Sequence, residues 1–159
     1  RGWANRPGPM LLEAKLRPSA AAGSPYLFPH LRAAIEDAYR RAGIPGPAAL
    51  DAIETHDCFT ISEYAALDHF GLTPPGESWR AIEDGRIAPG GALPVNPSGG
   101  LIGAGHPVGA TGVRMLHDAA RQVRGDAGAC QVEGARTVAT LNFGGSFTTV
   151  VSFVVGTGA

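Results

Sequence analysis

The spacing of apolar positions along the chain predicts both helices and strands. After Pro29, five apolar residues fall on one face of a helix with a 3.6-residue period: Leu31, Ala34, Ile35, Ala38 and Tyr39. Gly43 follows at the position of a left-handed C-terminal cap, so we expect this helix to end there. Pro45 and Pro47 prevent it from continuing, and residues 50–55 are predicted to form a short strand.

A second helix is predicted directly after this strand. Thr60 and Glu63 have the spacing of a capping box, so the helix is expected to begin at Ile61 and to end at Gly71. Residues 56–59, with the sequence His-Asp-Cys-Phe, then occupy the turn between a strand and a helix start. Backbone amides at a helix N-terminus stabilise a nearby anion and lower the pKa of a thiol, so this turn is a candidate site.

Helical spacing returns in the second half of the chain and then gives way to a period of two. Trp79 and Ile82 predict a short helix. Beyond a glycine-rich stretch, a longer helix ending at Gly125 is predicted from four apolar residues: Val113, Leu116, Ala120 and Val123. Residues 136–143 and 147–155 are apolar and β-branched, which predicts two strands joined by a tight turn. Together these elements predict an α/β domain, a mixed β-sheet covered by helices.

The N-terminal residues differ in composition from this pattern. Residues 1–28 contain four prolines and a run of small residues at positions 19–23, which predicts an irregular connector with one strand at residues 10–16. We therefore expect residues 29–159 to form the domain and residues 1–28 to lead into it.

Composition and charge exclude several classes of protein. The 159 residues carry 13 basic and 14 acidic side chains, so no basic surface for nucleic-acid binding is predicted. Two cysteines cannot form a disulfide framework, and no apolar run approaches the roughly 20 residues that span a bilayer. The chain starts without the charged and then apolar pattern of a secretory signal. We expect a cytoplasmic protein whose partners are neither nucleic acid nor membrane.

Glycine is unevenly distributed, and its richest stretch carries a histidine. Eight of the 23 glycines lie between Gly90 and Gly112. Within that stretch His106 lies between Gly105 and Pro107. The glycine lets other groups approach the backbone closely, and the proline restricts the backbone conformation. This setting favours a positioned imidazole. The sequence has no Cys-x-x-Cys or His-Glu-x-x-His pair, so no metal site is predicted.

Local features leave the role of the first cysteine open. A cysteine is often a small buried apolar residue, and we interpret Cys130 in that way. Cys58 differs because His56 is two residues away and a helix is predicted to begin just after it, so its thiol could also be poised for proton transfer.

These two motifs resemble those of thiolases, specifically the C-terminal half of the sterol-carrier-protein-2 type. Residues 99–112 are similar to the Gly-His-Pro signature of that family over more than a dozen positions. Residues 56–59 look like the His-Asp-Cys-Phe variant that this subfamily carries where other thiolases have Asn-Glu-Ala-Phe. The resemblance runs from about Pro29 to Val155. It implies that the domain is one half of a layered αβαβα thiolase fold.

The resemblance implies catalytic roles for three side chains. The Gly-His-Pro histidine, here His106, would activate the nucleophilic cysteine and help to bind the thioester oxyanion. Other thiolases move a proton with a second cysteine near the C-terminus, where this chain has Asn-Phe-Gly at residues 142–144. In this subfamily Cys58 would supply that acid/base thiol. His56 would orient a donor or donate directly to the first oxyanion.

The resemblance also implies positioning roles. The backbone amide of Gly144 would serve a second oxyanion hole, and Asn142 would have a positioning role. Three residues are placed at the substrate pocket: Phe59, Gly105 and Pro107. The substrates would be acyl-CoA and coenzyme A, with no covalently bound cofactor.

In thiolases the nucleophilic cysteine lies in the N-terminal half, and Cys130 cannot replace it because it is predicted in a surface loop. We therefore expect an acyltransferase that needs an N-terminal half, is inactive as this chain alone and forms a homo-oligomer. Two alternatives stay open: a thiolase-like retro-aldolase acting on 3-hydroxyacyl-CoA, including steroid side-chain esters, and a non-catalytic acyl-CoA-binding or scaffold subunit. A Cys-x-Ser/Gly motif upstream would favour the thiolase over the aldolase.

Overall fold

The computed structural model describes residues 3–7, 28–144 and 147–157, and its four strands form one mixed sheet. The strands are β1 (Trp3–Pro7), β2 (Ala52–Thr55), β3 (Thr137–Gly144) and β4 (Thr149–Gly156). Their order across the sheet is β1-β4-β3-β2. β4 pairs antiparallel with both β1 and β3, whereas β2 pairs parallel with β3. The mixed sheet predicted from the sequence is confirmed.

Helices connect and cover these strands. They are α1 (Pro29–Ala42), α2 (Thr60–Phe70), α3 (Trp79–Glu83), α4 (Gly100–Ala104) and α5 (Thr111–Arg124), with 3₁₀ turns at Pro47–Ala49 and Gly128–Cys130. Gly43, Gly71 and Gly125 cap α1, α2 and α5 in the left-handed conformation, which confirms the predicted helix ends. Within the described ranges, no helix is long and apolar enough to cross a membrane.

The sheet packs against helices on both faces. Successive side chains of a strand point to opposite sides, so each strand contributes to both packed faces. On one face Ile53 and Leu141 pack in a cluster with Ile35 of α1. On the other face Ala52 and Val138 pack in a cluster with Ala119 of α5. This is a helix–sheet–helix sandwich, in which full burial of each large apolar side chain contributes about 2 kcal/mol.

The start of α2 differs from the prediction. Thr60 is the first helical residue, Phe59 is the N-cap, and no side chain caps the helix. The carboxylate of Glu63 instead accepts a hydrogen bond from Asn96 Nδ2 at 3.2 Å. The capping-box prediction is therefore wrong, because a partner far along the chain takes the Glu63 side chain.

α5 is confirmed, but its buried face was wrongly assigned. Val113 is 71% exposed, whereas the buried side chains are Thr111, Met115, Ala119 and Gln122. Gln122 is tolerated there because its amide donates to Cys130 O at 2.7 Å and accepts from Val132 N at 2.8 Å. Hydrogen bonds thus allow the polar side chain of Gln122 on the buried face of α5. Helical spacing had placed Val113 on the buried face, but Val113 faces away from the core.

The N-terminal residues contribute a strand that the sequence did not indicate. β1 pairs with β4 from within the segment predicted as an irregular connector. The strand predicted at residues 10–16 lies outside the described residues, and the domain boundary between residues 28 and 29 stays a prediction.

Candidate active site

The parallel pairing of β2 and β3 brings His56 beside Asn142. His56 follows the last residue of β2, and its backbone N–H donates to Leu141 O of β3 at 3.0 Å. Its ring Nδ1 is hydrogen-bonded to Asn142 Oδ1, and its ring lies 4.4 Å from that of Phe143, centroid to centroid. Because the amide oxygen is an acceptor, Nδ1 carries the proton and Nε2 carries the lone pair.

His106 lies in an exposed segment between α4 and α5. Its Nδ1 is 2.7 Å from Oγ1 of the buried Thr111, whose hydroxyl donates to Pro107 O at 3.1 Å. A hydroxyl has one proton to give, so Oγ1 accepts from His106 Nδ1–H. Nε2 of His106 is therefore also free to act as a base.

The two imidazoles meet at a shared cleft. Their ring centroids are 5.0 Å apart, and the planes are nearly perpendicular at 86°. The cleft has a volume of about 330 Å³ and is lined by His56, His106, Val108, Asn142, Phe143, Gly144, Thr149 and Val151. The cleft thus brings together four of the site residues predicted from the sequence: His56, His106, Asn142 and Gly144.

Four other predicted site residues do not line the cleft, although two of them flank His106. Among the residues that the structure describes, Cys58, Phe59, Gly105 and Pro107 are not part of the cleft lining. Cys58 is half-buried, with its Sγ 3.6 Å from Oγ of Ser62 in α2. Phe59 is 71% exposed. The functional roles of all eight predicted site residues stay predictions.

Electrostatics favour a neutral His56. Burial lowers the pKa of its imidazole, because the charged form loses hydration. The neighbouring His106 lowers it further, while the hydrogen bond with Asn142 and the charge of Asp57 raise it. The net direction is downward, so His56 carries no charge at neutral pH and can accept a proton.

The carboxylate of Asp57 connects the two motifs, a role that no pattern in the sequence indicates. Its Oδ1 accepts from the backbone N–H of Leu101, in the first turn of α4, at 2.5 Å. Gly100 has a φ of +60°, and a Cβ at that position would clash with the Asp57 carboxylate. The glycine is therefore required by this close approach.

A second buried carboxylate, Glu54, holds the glycine-rich segment from within β2. It is fully buried and accepts hydrogen bonds from Ser98 N at 3.1 Å and from Ser98 Oγ at 2.7 Å. Burial raises its pKa to about 7, although the two bonds from Ser98 act in the opposite direction. Asn96 binds the same strand, since its Oδ1 accepts from Thr55 N at 2.7 Å.

Comparisons with known proteins identify the family. Residues 17–157 match the family described as thiolase C-terminal domain-like. The chain belongs to this family. It is 44% identical over 113 residues to the acetyl-CoA acetyltransferase of Methanothermobacter thermautotrophicus, which covers 71% of this chain and 29% of that protein. It is 38% identical over 117 residues to human sterol carrier protein 2, which covers 74% of this chain and 21% of that protein.

The predicted resemblance to thiolases of the sterol-carrier-protein-2 type is thereby confirmed. This thiolase-family chain spans about a fifth to three tenths of the curated relatives it matches. A solved structure titled Ltp2-ChsH2(DUF35) aldolase superposes on 98% of the chain and 38% of its own, with a TM-score of 0.81 and 24% identity. That likeness confirms the predicted fold.

Among the described residues, no group of three or more His, Cys, Asp or Glu side chains is placed to hold a metal ion.

Proposed function

We propose that this chain is the C-terminal catalytic half of an acyl-CoA acetyltransferase or 3-ketoacyl-CoA thiolase. The observation that carries the proposal is the cleft, where His56 and His106 meet at 5.0 Å beside Asn142 in a thiolase-family domain. An N-terminal half, in the same or a separate chain, would supply the nucleophilic cysteine. Acyl-CoA and coenzyme A would be substrates, and no covalently bound cofactor is invoked.

The cleft suits chemistry next to a thioester. Breaking a carbon–carbon bond there leaves negative charge on the thioester oxygen, and each aimed donor is worth about 3 kcal/mol to the transition state. Nε2 of His106 can take the proton of the nucleophilic thiol, and the resulting imidazolium can donate a hydrogen bond to that oxygen while it keeps the proton. Asn142 fixes the ring of His56, and Gly144, whose backbone amide would serve the second oxyanion hole, lines the same cleft.

The proposed role of Cys58 is to move the second proton. In the degradative direction its thiol would protonate the carbon of the departing acetyl-CoA enolate and become a thiolate. The thiolate would then take the proton of the incoming coenzyme A thiol as that sulfur attacks the acyl-enzyme. The nucleophilic cysteine would leave as a thiolate and recover its proton from the His106 imidazolium. Ser62 Oγ, at 3.6 Å, is a hydrogen-bond partner for either form.

Exposed apolar side chains support docking of an N-terminal half. Five of them lie in the two motifs or within two residues of them, each 62–81% exposed: Phe59, Ile61, Ile102, Val108 and Val113. Apolar exposure beside a site is typical of an interaction surface. We propose that the N-terminal half covers these side chains and that the whole enzyme is a homo-oligomer.

The direct test joins this chain to an N-terminal thiolase half and measures cleavage of 3-ketoacyl-CoA with free coenzyme A. We expect Cys58→Ala and His106→Ala each to lower kcat at least about 100-fold, since each removes a proton-transfer group. Cys130→Ala is the matched control, because Cys130 lies exposed in the 3₁₀ turn after α5. Its interpretation as a buried apolar residue is therefore wrong. Cys58 and His106 variants as active as the parent would refute the proposal.

A retro-aldolase is the second candidate, because the cleft is lined by two imidazoles while Cys58 lies outside its lining. In that reaction a base removes the proton of the 3-hydroxyl group, the bond between carbons 2 and 3 breaks, and the acyl-CoA enolate is protonated. Cleavage of 3-hydroxyacyl-CoA without free coenzyme A would favour the aldolase. Binding of acyl-CoA with turnover of neither substrate would favour a non-catalytic subunit.

A further inference from the structure

The segment that carries His106, residues 102–110, is held in place at its two ends. Residues 102–110 are all exposed, so core packing does not fix their position. Leu101, immediately before them, is buried, and Thr111, immediately after them, is fully buried. The position of His106 therefore depends on how the two ends of this segment are held together.

The guanidinium of Arg114 joins the two ends. From the first turns of α5, its Nη1 donates to Ser98 Oγ at 3.2 Å and its Nη2 donates to Gly100 O at 3.1 Å. Nη1 also pairs with Asp118, one turn further along the helix, at 2.9 Å. One planar group thus bridges the start of α4, at Ser98 and Gly100, and the helix that follows His106.

The same bridge continues to the strand before His56. The hydroxyl proton of Ser98 goes to Glu54 Oε2, so Ser98 Oγ accepts from Arg114. Glu54, Ser98 and Arg114 form one line of hydrogen bonds from β2 to α5. His56 follows that strand by one residue and His106 precedes that helix, so the line connects the supports of both imidazoles.

We propose that Arg114 is a positioning residue for His106. Its guanidinium joins the two ends of the segment and thereby fixes the distance between the imidazoles of His56 and His106. A lysine could keep the ion pair with Asp118, but its single ammonium cannot reproduce a planar bridge to both Ser98 and Gly100. Only the consequence for catalysis rests on the proposed function, because the geometry is a property of the chain itself.

NMR on this chain tests the proposal with Arg114→Met, Arg114→Lys and the control Arg121→Met. Arg121 is on the same helix, and its hydrogen bonds go to Asp126 O at the far end. Two readouts report on the segment: the His106 ring resonances, and amide exchange at Gly103 and Gly105, whose N–H groups bond to Gly99 O and Leu101 O. Amide exchange in α1 reports on the global fold.

Arg114→Met is expected to shift the His106 resonances and to speed exchange at both glycines at least about tenfold, with α1 unchanged. Arg114→Lys should show a smaller change in the same direction, and Arg121→Met should match the parent. Parent-like values in a folded Arg114→Met variant overturn the proposal. If Arg114→Met unfolds, parent-like values in Arg114→Lys overturn the proposal. Loss of α1 protection in both Arg114 variants also overturns it. Neither readout depends on turnover, so failure of the proposed function would be seen separately.

Discussion

The imidazole of His56 is neutral because it is buried at the end of β2, where burial lowers its pKa. Its hydrogen bond with Asn142 partly offsets this effect. We expect His56 to titrate below 6.5, and Asn142→Leu to lower its pKa further by removing the acceptor for the ring N–H. NMR titration of the His56 ring carbon protons checks both directions. A parent pKa of 6.5 or above, or no change in the variant, would contradict this account.

Glu54 makes a distinct contribution to the pH dependence of stability. Its pKa is 4.5 in an exposed setting and about 7 in the folded protein, so between these values the folded state binds the proton that the unfolded chain releases. The free energy of unfolding then falls as pH rises through this window, by about 3 kcal/mol in total. Glu54→Gln should remove that fall.

Urea unfolding at several pH values, with parent and variant side by side, measures this difference. The comparison must be between the two curves, because His56 and His69 act in the opposite sense. Burial lowers the pKa of both imidazoles, so their contribution to stability is lost as pH falls. Parallel curves for parent and Glu54→Gln would show that Glu54 does not titrate as described.

The residues of the cleft could be identified from the sequence more readily than the residues that hold them in place. His56 and His106 stand in recognisable motifs, so they could be found without coordinates. The supporting roles of Glu54 and Asp57 could not, because each binds a backbone amide 44 residues away and no local spacing signals such a bond. Thr111 is only five residues from His106, yet an isolated threonine gives no sign that its hydroxyl will orient a ring.

Among the helices, α4 offers a matched pair of glycine substitutions. Gly100 has a left-handed φ and lies against the Asp57 carboxylate, whereas Gly103 has open space where a Cβ would stand. We expect Gly100→Ala to lower the free energy of unfolding by about 2 kcal/mol or more, and Gly103→Ala to leave it unchanged or raise it by up to about 1 kcal/mol. Chemical denaturation measures both, and equal effects would argue against the close contact with Asp57.

Elements with a strong local pattern were predicted well. α1 has both an apolar face and a terminal glycine, and β3 and β4 are two apolar runs, so all three formed as expected. α4 was missed because its five residues include two glycines, which are poor helix formers. It is held by bonds to Asp57 and Arg114 that no propensity describes.

On the scale of the whole molecule, the exposed apolar side chains predict association. The five exposed residues named above would attract one another in water when no partner covers them. We expect this chain to self-associate as its concentration rises, and Ile102→Lys with Val108→Lys to reduce that association. Ile82→Lys on α3 is the control, because Ile82 is 39% exposed and lies outside both motif segments.

Sedimentation velocity over a range of concentrations distinguishes the outcomes. A parent chain that stays monomeric throughout would contradict the prediction, as would equal effects of the two kinds of variant. The layered arrangement of helices and sheet could be anticipated from the order of the predicted elements. The exposure of Val113 could not, because spacing alone assigned this residue to the buried face of α5.

The neighbouring positions of β2 and β3 in the sheet also determine when the cleft can exist. His56 and Asn142 are 86 residues apart, and bringing such distant segments together is slow compared with closing a hairpin such as β3 and β4. A ribosome must release the chain beyond residue 142 before His56 meets its partner. The cleft therefore cannot form on a nascent chain that ends before Asn142.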